Sequence, residues 1–104
     1  MNSKSKSTIN NAIIELIGRR RRQLLVHSYI YYEKDLNLID DHKWTEWAMQ
    51  LVALQKEHPE LSKKAPYYEE FLDFDGSTGY NLPYRMPNIV SAAEHLLAME
   101  DKNA

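Results

Sequence analysis

Five aromatic side chains gather on either side of one short polar break: Tyr29, Tyr31 and Tyr32 before it, Trp44 and Trp47 after it. A flat π face can stack on a heteroaromatic ring or sit under a cation, so this corner of the chain is where ligand chemistry is most readily placed. At helical spacing the same residues can also simply pack. Tyr29 and Trp47 read as core, whereas for Tyr31, Tyr32 and Trp44 the packing and ligand readings stand level.

A second cluster is the run Arg19-Arg20-Arg21-Arg22. On a helix, at about 100° per residue, four successive side chains fan over about 300° and cannot all point one way. One reading is a solvated face with a side chain snorkelling past the core. The other is a contact with a phosphate or with an acidic protein face, which guanidinium forks suit. His27, His42, His58 and His95 show no paired ligand spacing, so no metal site is expected. Asp73 and Asp75 precede Gly76 and read as turn carboxylates that accept backbone N–H bonds, not as a catalytic pair.

The elements that must position these groups are helical. From Ser7 to about Tyr32, Ile9, Ala12, Ile13, Leu16, Ile17, Leu24 and Ile30 recur near helical spacing without a proline, and Ser7 suits the N-cap. Asp35-Leu36-Asn37 breaks the pattern. Asp40 or Asp41 then caps a second helix to about Glu57, with Trp44, Trp47, Ala48, Leu51 and Leu54 on one face and Pro59 beyond its end. The two helices are expected to form an antiparallel hairpin over residues 8 to 32 and 41 to 57. Pro66 opens a short turn over Tyr67 to Leu72, Asp75-Gly76-Ser77-Thr78-Gly79 is loop chemistry, and a last helix runs from Pro87 to about Met99. The fold class expected is all-α: a long helical hairpin, a further short turn and a C-terminal helix. Residues 1 to 6 read as a flexible tail and 7 to 104 as one domain.

The 104 residues contain no cysteine, which excludes disulfides and thiolate chemistry and fits a cytoplasmic protein. The longest mostly apolar stretch, Leu24 to Tyr32, is far shorter than the roughly 20 residues of a membrane span. The net charge of −2 is unevenly placed. Residues 1 to 32 hold six basic side chains and one acid, whereas residues 33 to 104 hold seven basic and fourteen acidic ones. The basic third can draw phosphates or an acidic protein surface, while the acidic remainder opposes nucleic acid.

The segments His27-Ser28-Tyr29-Ile30-Tyr31-Tyr32, Ile39-Asp40-Asp41-His42-Lys43-Trp44, Leu51-Val52-Ala53-Leu54 and His58-Pro59-Glu60-Leu61 together resemble the N-terminal nicotinamide-binding domain of bacterial NAD-dependent DNA ligases. In that family a helix ending in Tyr followed by His or Tyr leads through a loop to Ile-x-Asp-x-x-Tyr-Asp and then to an HPEL-like ending. The resemblance covers about 35 of the 104 residues. It implies that this is a short free-standing relative of the domain that grips the nicotinamide mononucleotide half of NAD. Tyr31 matches the stacking tyrosine, Tyr32 stands where the family commonly has His, Asp41 matches the loop aspartate and Trp44 replaces the second tyrosine. Thr45 stands where the family has an aspartate.

The same resemblance argues against catalysis. The family forms its lysyl-AMP at Lys-x-Asp-Gly, and here that pattern reads Asp73-Phe74-Asp75-Gly76, with no amine to attack a phosphate. Two roles remain. One is a non-catalytic interaction protein, on the scale of a mobile-element or phage accessory or inhibitor protein, whose Arg19 to Arg22 run meets another protein. The other is a module that binds NAD or nicotinamide mononucleotide through Tyr31, Tyr32, Asp41 and Trp44, assisting a nucleotidyltransferase or ligase. Nucleic-acid binding through the arginine run is a weaker third expectation. No cofactor is required by either role.

Overall fold

The computed structural model describes residues 3–103 and is built of helices joined by tight turns, with no strand among those residues. Four α-helices follow in order: α1 (Ser3–Lys34), α2 (Asp41–Glu57), α3 (Pro59–Lys64) and α4 (Pro87–Asn103), with a single 3-10 turn at Glu69–Phe71 between the last two. The all-α expectation holds.

α1 is the axis of the molecule. Leu24, Leu25, Val26, Ser28, Tyr29 and Ile30 are all buried, so this stretch faces the interior on nearly every side and has no polar stripe. A helix apolar all round needs neighbours all round, and α2, α3 and α4 each pack against it. The antiparallel sense of α1 and α2 shows in their cross-links: Arg20 meets Gln50, while His27, further along α1, meets Trp47, earlier on α2.

The helix begins earlier than the sequence suggests. Ser7 was expected as the N-cap, yet α1 is already helical from Ser3, and of the expected tail only residues 1 and 2 lie outside the described residues. Ser and Lys tolerate a helix, and the apolar period that marked the start at residue 7 reports where packing begins, not where the backbone first coils. At the other end Asp35 takes a positive φ of 55° and the Leu36 amide donates back to the Ile30 carbonyl, which stops the helix.

At the start of α2, Asp40 is the N-cap: its carboxylate accepts from the Lys43 amide at 2.7 Å. Ala48 and Leu51 of the expected apolar face are buried, and Trp44, Trp47 and Leu54 are half-buried against the core. Pro59, expected only to follow α2, instead opens α3, where a proline at the first position loses nothing because that N–H has no helical partner.

One residue ties the short helix down. Arg21 is fully buried, and its guanidinium donates to the carbonyls of Ser62, Ala65 and Pro66 at 3.2, 3.2 and 2.9 Å, to Ser62 Oγ at 2.5 Å and to Gln55 Oε1 at 2.9 Å. These carbonyls lie at and just beyond the C-terminal end of α3, where a cation also complements the helix dipole. Burial pushes this guanidinium down to about 10, and it still carries its charge at neutral pH. Beside it, Gly18 lets α1 meet the turn, since a Cβ there would stand 2.9 Å from Pro66 Cδ.

Candidate functional site

The end of the α1–α2 hairpin, where the chain turns from Lys34 to Asp41, encloses a cavity of about 210 Å³. It has three walls. α1 supplies His27, Ser28, Tyr31 and Tyr32; the turn and the first two turns of α2 supply Leu38, Ile39, Asp40, Asp41, Trp44 and Thr45; Ser77, Thr78 and Gly79 close the third side. The volume lies below the roughly 300–1,000 Å³ of sites that enclose a drug-sized ligand. It is of a size for one ring and its substituents.

The four residues singled out for nicotinamide-nucleotide binding, Tyr31, Tyr32, Asp41 and Trp44, all line this one cavity. They are not equivalent within it. Tyr32 is held in a tyrosine stack: its ring lies parallel to Tyr84 at 5.6 Å, with Tyr80 and Tyr31 meeting it edge-on at 5.4 and 4.8 Å. Its hydroxyl is 3.0 Å from Thr78 Oγ1. Tyr32 therefore acts as a wall, fixed by α1's neighbours. Tyr31 remains 47% exposed, and Trp44, half-buried, meets Phe74 edge-on at 6.3 Å. These two carry the ring faces with most freedom to stack. Asp41 is exposed at the rim, and Thr45 lines the cavity without supplying a charge.

Sequence reasoning had no means of finding the third wall. Ser77, Thr78 and Gly79 belong to a segment that reads only as a turn. The Asp75 carboxylate accepts from the Ser77 amide and hydroxyl at 2.9 and 2.6 Å, and these bonds hold it below the usual carboxylate range. The expected turn role of Asp75 is thus observed, and its effect is to set Ser77 and Thr78 against the hairpin. Gly79 comes closest. A Cβ on it would lie 2.1 Å from Ser28 Oγ and 3.0 Å from Trp44 Cζ2.

Beneath this wall two polar atoms have no hydrogen-bond partner, Ser28 Oγ and His27 Nδ1. Buried polar atoms are nearly always paired, so two orphans on residues that line one cavity are unusual. Burial also pushes the His27 imidazole down, which favours its neutral form with one donor and one acceptor nitrogen. The His27 ring packs on Trp47 at 5.7 Å, but its Nδ1 is unaccounted for by that packing.

The arginine run does not form a patch. Arg19 pairs with Glu15 along its own helix. Arg20 lies over the Trp47 ring at 5.4 Å and donates to Gln50 and Gln23 at 2.5 and 2.7 Å. Arg21 is buried, which corrects its place among the expected partner-binding residues: it is on the core face, four positions after Ile17 and three before Leu24, and its donors are consumed inside the fold. Arg22 alone of the four is exposed without a close ion pair or hydrogen bond described for it.

No His, Asp and Glu group with metal-ligand geometry occurs among the described residues, and no helix there is long and apolar enough to cross a membrane. Comparison with protein families, with curated proteins and with solved structures finds no match for this chain.

Proposed function

We propose that this chain is a non-catalytic binding module whose cavity takes the nicotinamide end of NAD or of a nicotinamide nucleotide, on a scaffold related to the first domain of NAD-dependent DNA ligases. The observation that carries the reading is convergence. Tyr31 and Tyr32 come from α1 and Asp41 and Trp44 from α2; all four were singled out from the sequence, and they meet around one cavity. The unpartnered Ser28 hydroxyl and His27 nitrogen belong to residues that line it. The chain offers no lysine at Asp73, so any adenylyl transfer coupled to this binding belongs to another, cytoplasmic protein.

A protein-interaction role through Arg19 to Arg22, and with it a nucleic-acid role, has less support. The run is split among a helix-surface ion pair, a ring contact and a buried anchor, so its guanidinium groups do not act on one partner face. Trp44 lies in the cavity, which makes its fluorescence a direct reporter. Titration with NAD and nicotinamide mononucleotide should perturb it saturably. Tyr31→Ala should weaken binding by about 2- to 12-fold, the equivalent of one aromatic contact. A flat titration with a folded protein would reject the reading.

A further inference from the structure

Resting on the cavity reading above, we propose that this site selects a cationic pyridinium nucleoside and discriminates against the same nucleoside bearing a phosphate. The selection is electrostatic. Two carboxylates, Asp40 and Asp41, line the cavity, and no lysine or arginine does. The cations nearest in the chain are engaged elsewhere: Lys43 with Glu46 at 3.4 Å, Lys34 with Glu94 at 2.9 Å, and Arg85 with Glu33. His27 is kept neutral by burial and adds no positive charge.

The N-terminus of α2 also faces this region, and a helix N-terminus ordinarily attracts an anion. Here the protein has filled that position itself. Asp40 caps the helix through the Lys43 amide, and Asp41 lies in the first turn. A phosphate approaching the same end meets two fixed negative charges before it meets a free N–H. A pyridinium ring, in contrast, finds the faces of Tyr31 and Trp44, and cations are attracted to such faces. The two effects act in the same direction. The ring's charge is favoured by the aromatics and the acids together, and the phosphate is opposed by the acids.

The test is a set of titrations at neutral pH and low ionic strength with nicotinamide riboside, nicotinamide mononucleotide and reduced nicotinamide riboside, whose ring is uncharged. The riboside should bind about 5- to 10-fold more tightly than the mononucleotide, and the gap should shrink as salt screens the exposed carboxylates. The reduced riboside should bind more weakly than the oxidised one. Asp41→Asn, which leaves the Asp40 cap in place, should narrow the gap between riboside and mononucleotide. Equal or tighter binding of the mononucleotide overturns the charge selection while leaving the cavity reading intact. Binding of none of the three, by a chain that remains folded, overturns both.

Discussion

The Tyr32 hydroxyl lies 3.0 Å from Thr78 Oγ1, so the end of α1 is joined to a loop that is 46 residues later in the chain. Thr78 Oγ1 also accepts from the Tyr80 amide at 3.2 Å. Whichever of the two hydroxyls donates to the other, one O–H proton of the pair remains for an acceptor. This link turns an open helical hairpin into a three-walled cavity, and the account of binding depends on that closure.

Gly79 should tolerate no side chain. With a Cβ 2.1 Å from Ser28 Oγ, Gly79→Ala forces the loop away from α1 and should destabilise the fold by about 1–3 kcal/mol, in the range of overpacked cores. Ser28→Ala should behave in the opposite way. It removes a buried hydroxyl with no partner, so stability should hold or rise by up to about 1 kcal/mol. Urea denaturation of both variants measures this, and a neutral Gly79→Ala would show that the loop does not press on the hairpin.

Arg21 should be the most sensitive of the four arginines. Arg21→Met keeps most of the volume but takes the guanidinium donors from the buried Ala65 carbonyl and Ser62 hydroxyl, and a buried unsatisfied acceptor costs about 1–3 kcal/mol. The loss should be at least about 2 kcal/mol, while Arg21→Lys recovers only part because an ammonium cannot present a planar fork. Arg22→Met, on the exposed side, should leave stability within about 0.5 kcal/mol. Equal effects at the two positions would contradict the anchoring role.

Stability should fall on mild acidification through His27. Its folded pKa lies below the ordinary value of 6.5 because burial disfavours the imidazolium. Below that pH the unfolded chain binds a proton that the folded chain resists, so the unfolded state gains and stability drops as the pH falls toward the lowered pKa. Above it the two states are both neutral at this site and no dependence remains. Thermal melts of the native chain and of His27→Gln across this interval should differ in slope, with the variant flatter. Parallel slopes would remove His27 from the account.

How much of this was legible in the sequence depended on whether a residue's environment was local. The Asp40 cap and the Trp44 to Leu54 face follow from spacing within one helix, and both stand as expected. The beginning of α1 was misjudged because a solvated helical turn has no apolar period to mark it. α3 was missed because Pro59 carries the same signal for a helix that has ended and for one that is starting. Arg21 shows the limit most clearly. Its place between Ile17 and Leu24 put it on the inward face, but four consecutive arginines suggest a surface, and the carbonyls that justify its burial lie more than 40 residues away. The hairpin half of the cavity was likewise readable from Tyr31, Tyr32, Asp41 and Trp44, whereas Gly79 reaches it only through the tertiary fold.

A nuclear magnetic resonance titration of the labelled chain with nicotinamide mononucleotide tests ligand binding at this cavity at residue level. Saturable shifts are expected at the Trp44 indole N–H, at the His27 ring and at the backbone amides of residues 77 to 79, with α3 and the amides of Arg19 to Arg22 unmoved. Shifts centred on the arginines instead, or none at a ligand concentration well above the millimolar range, would contradict it.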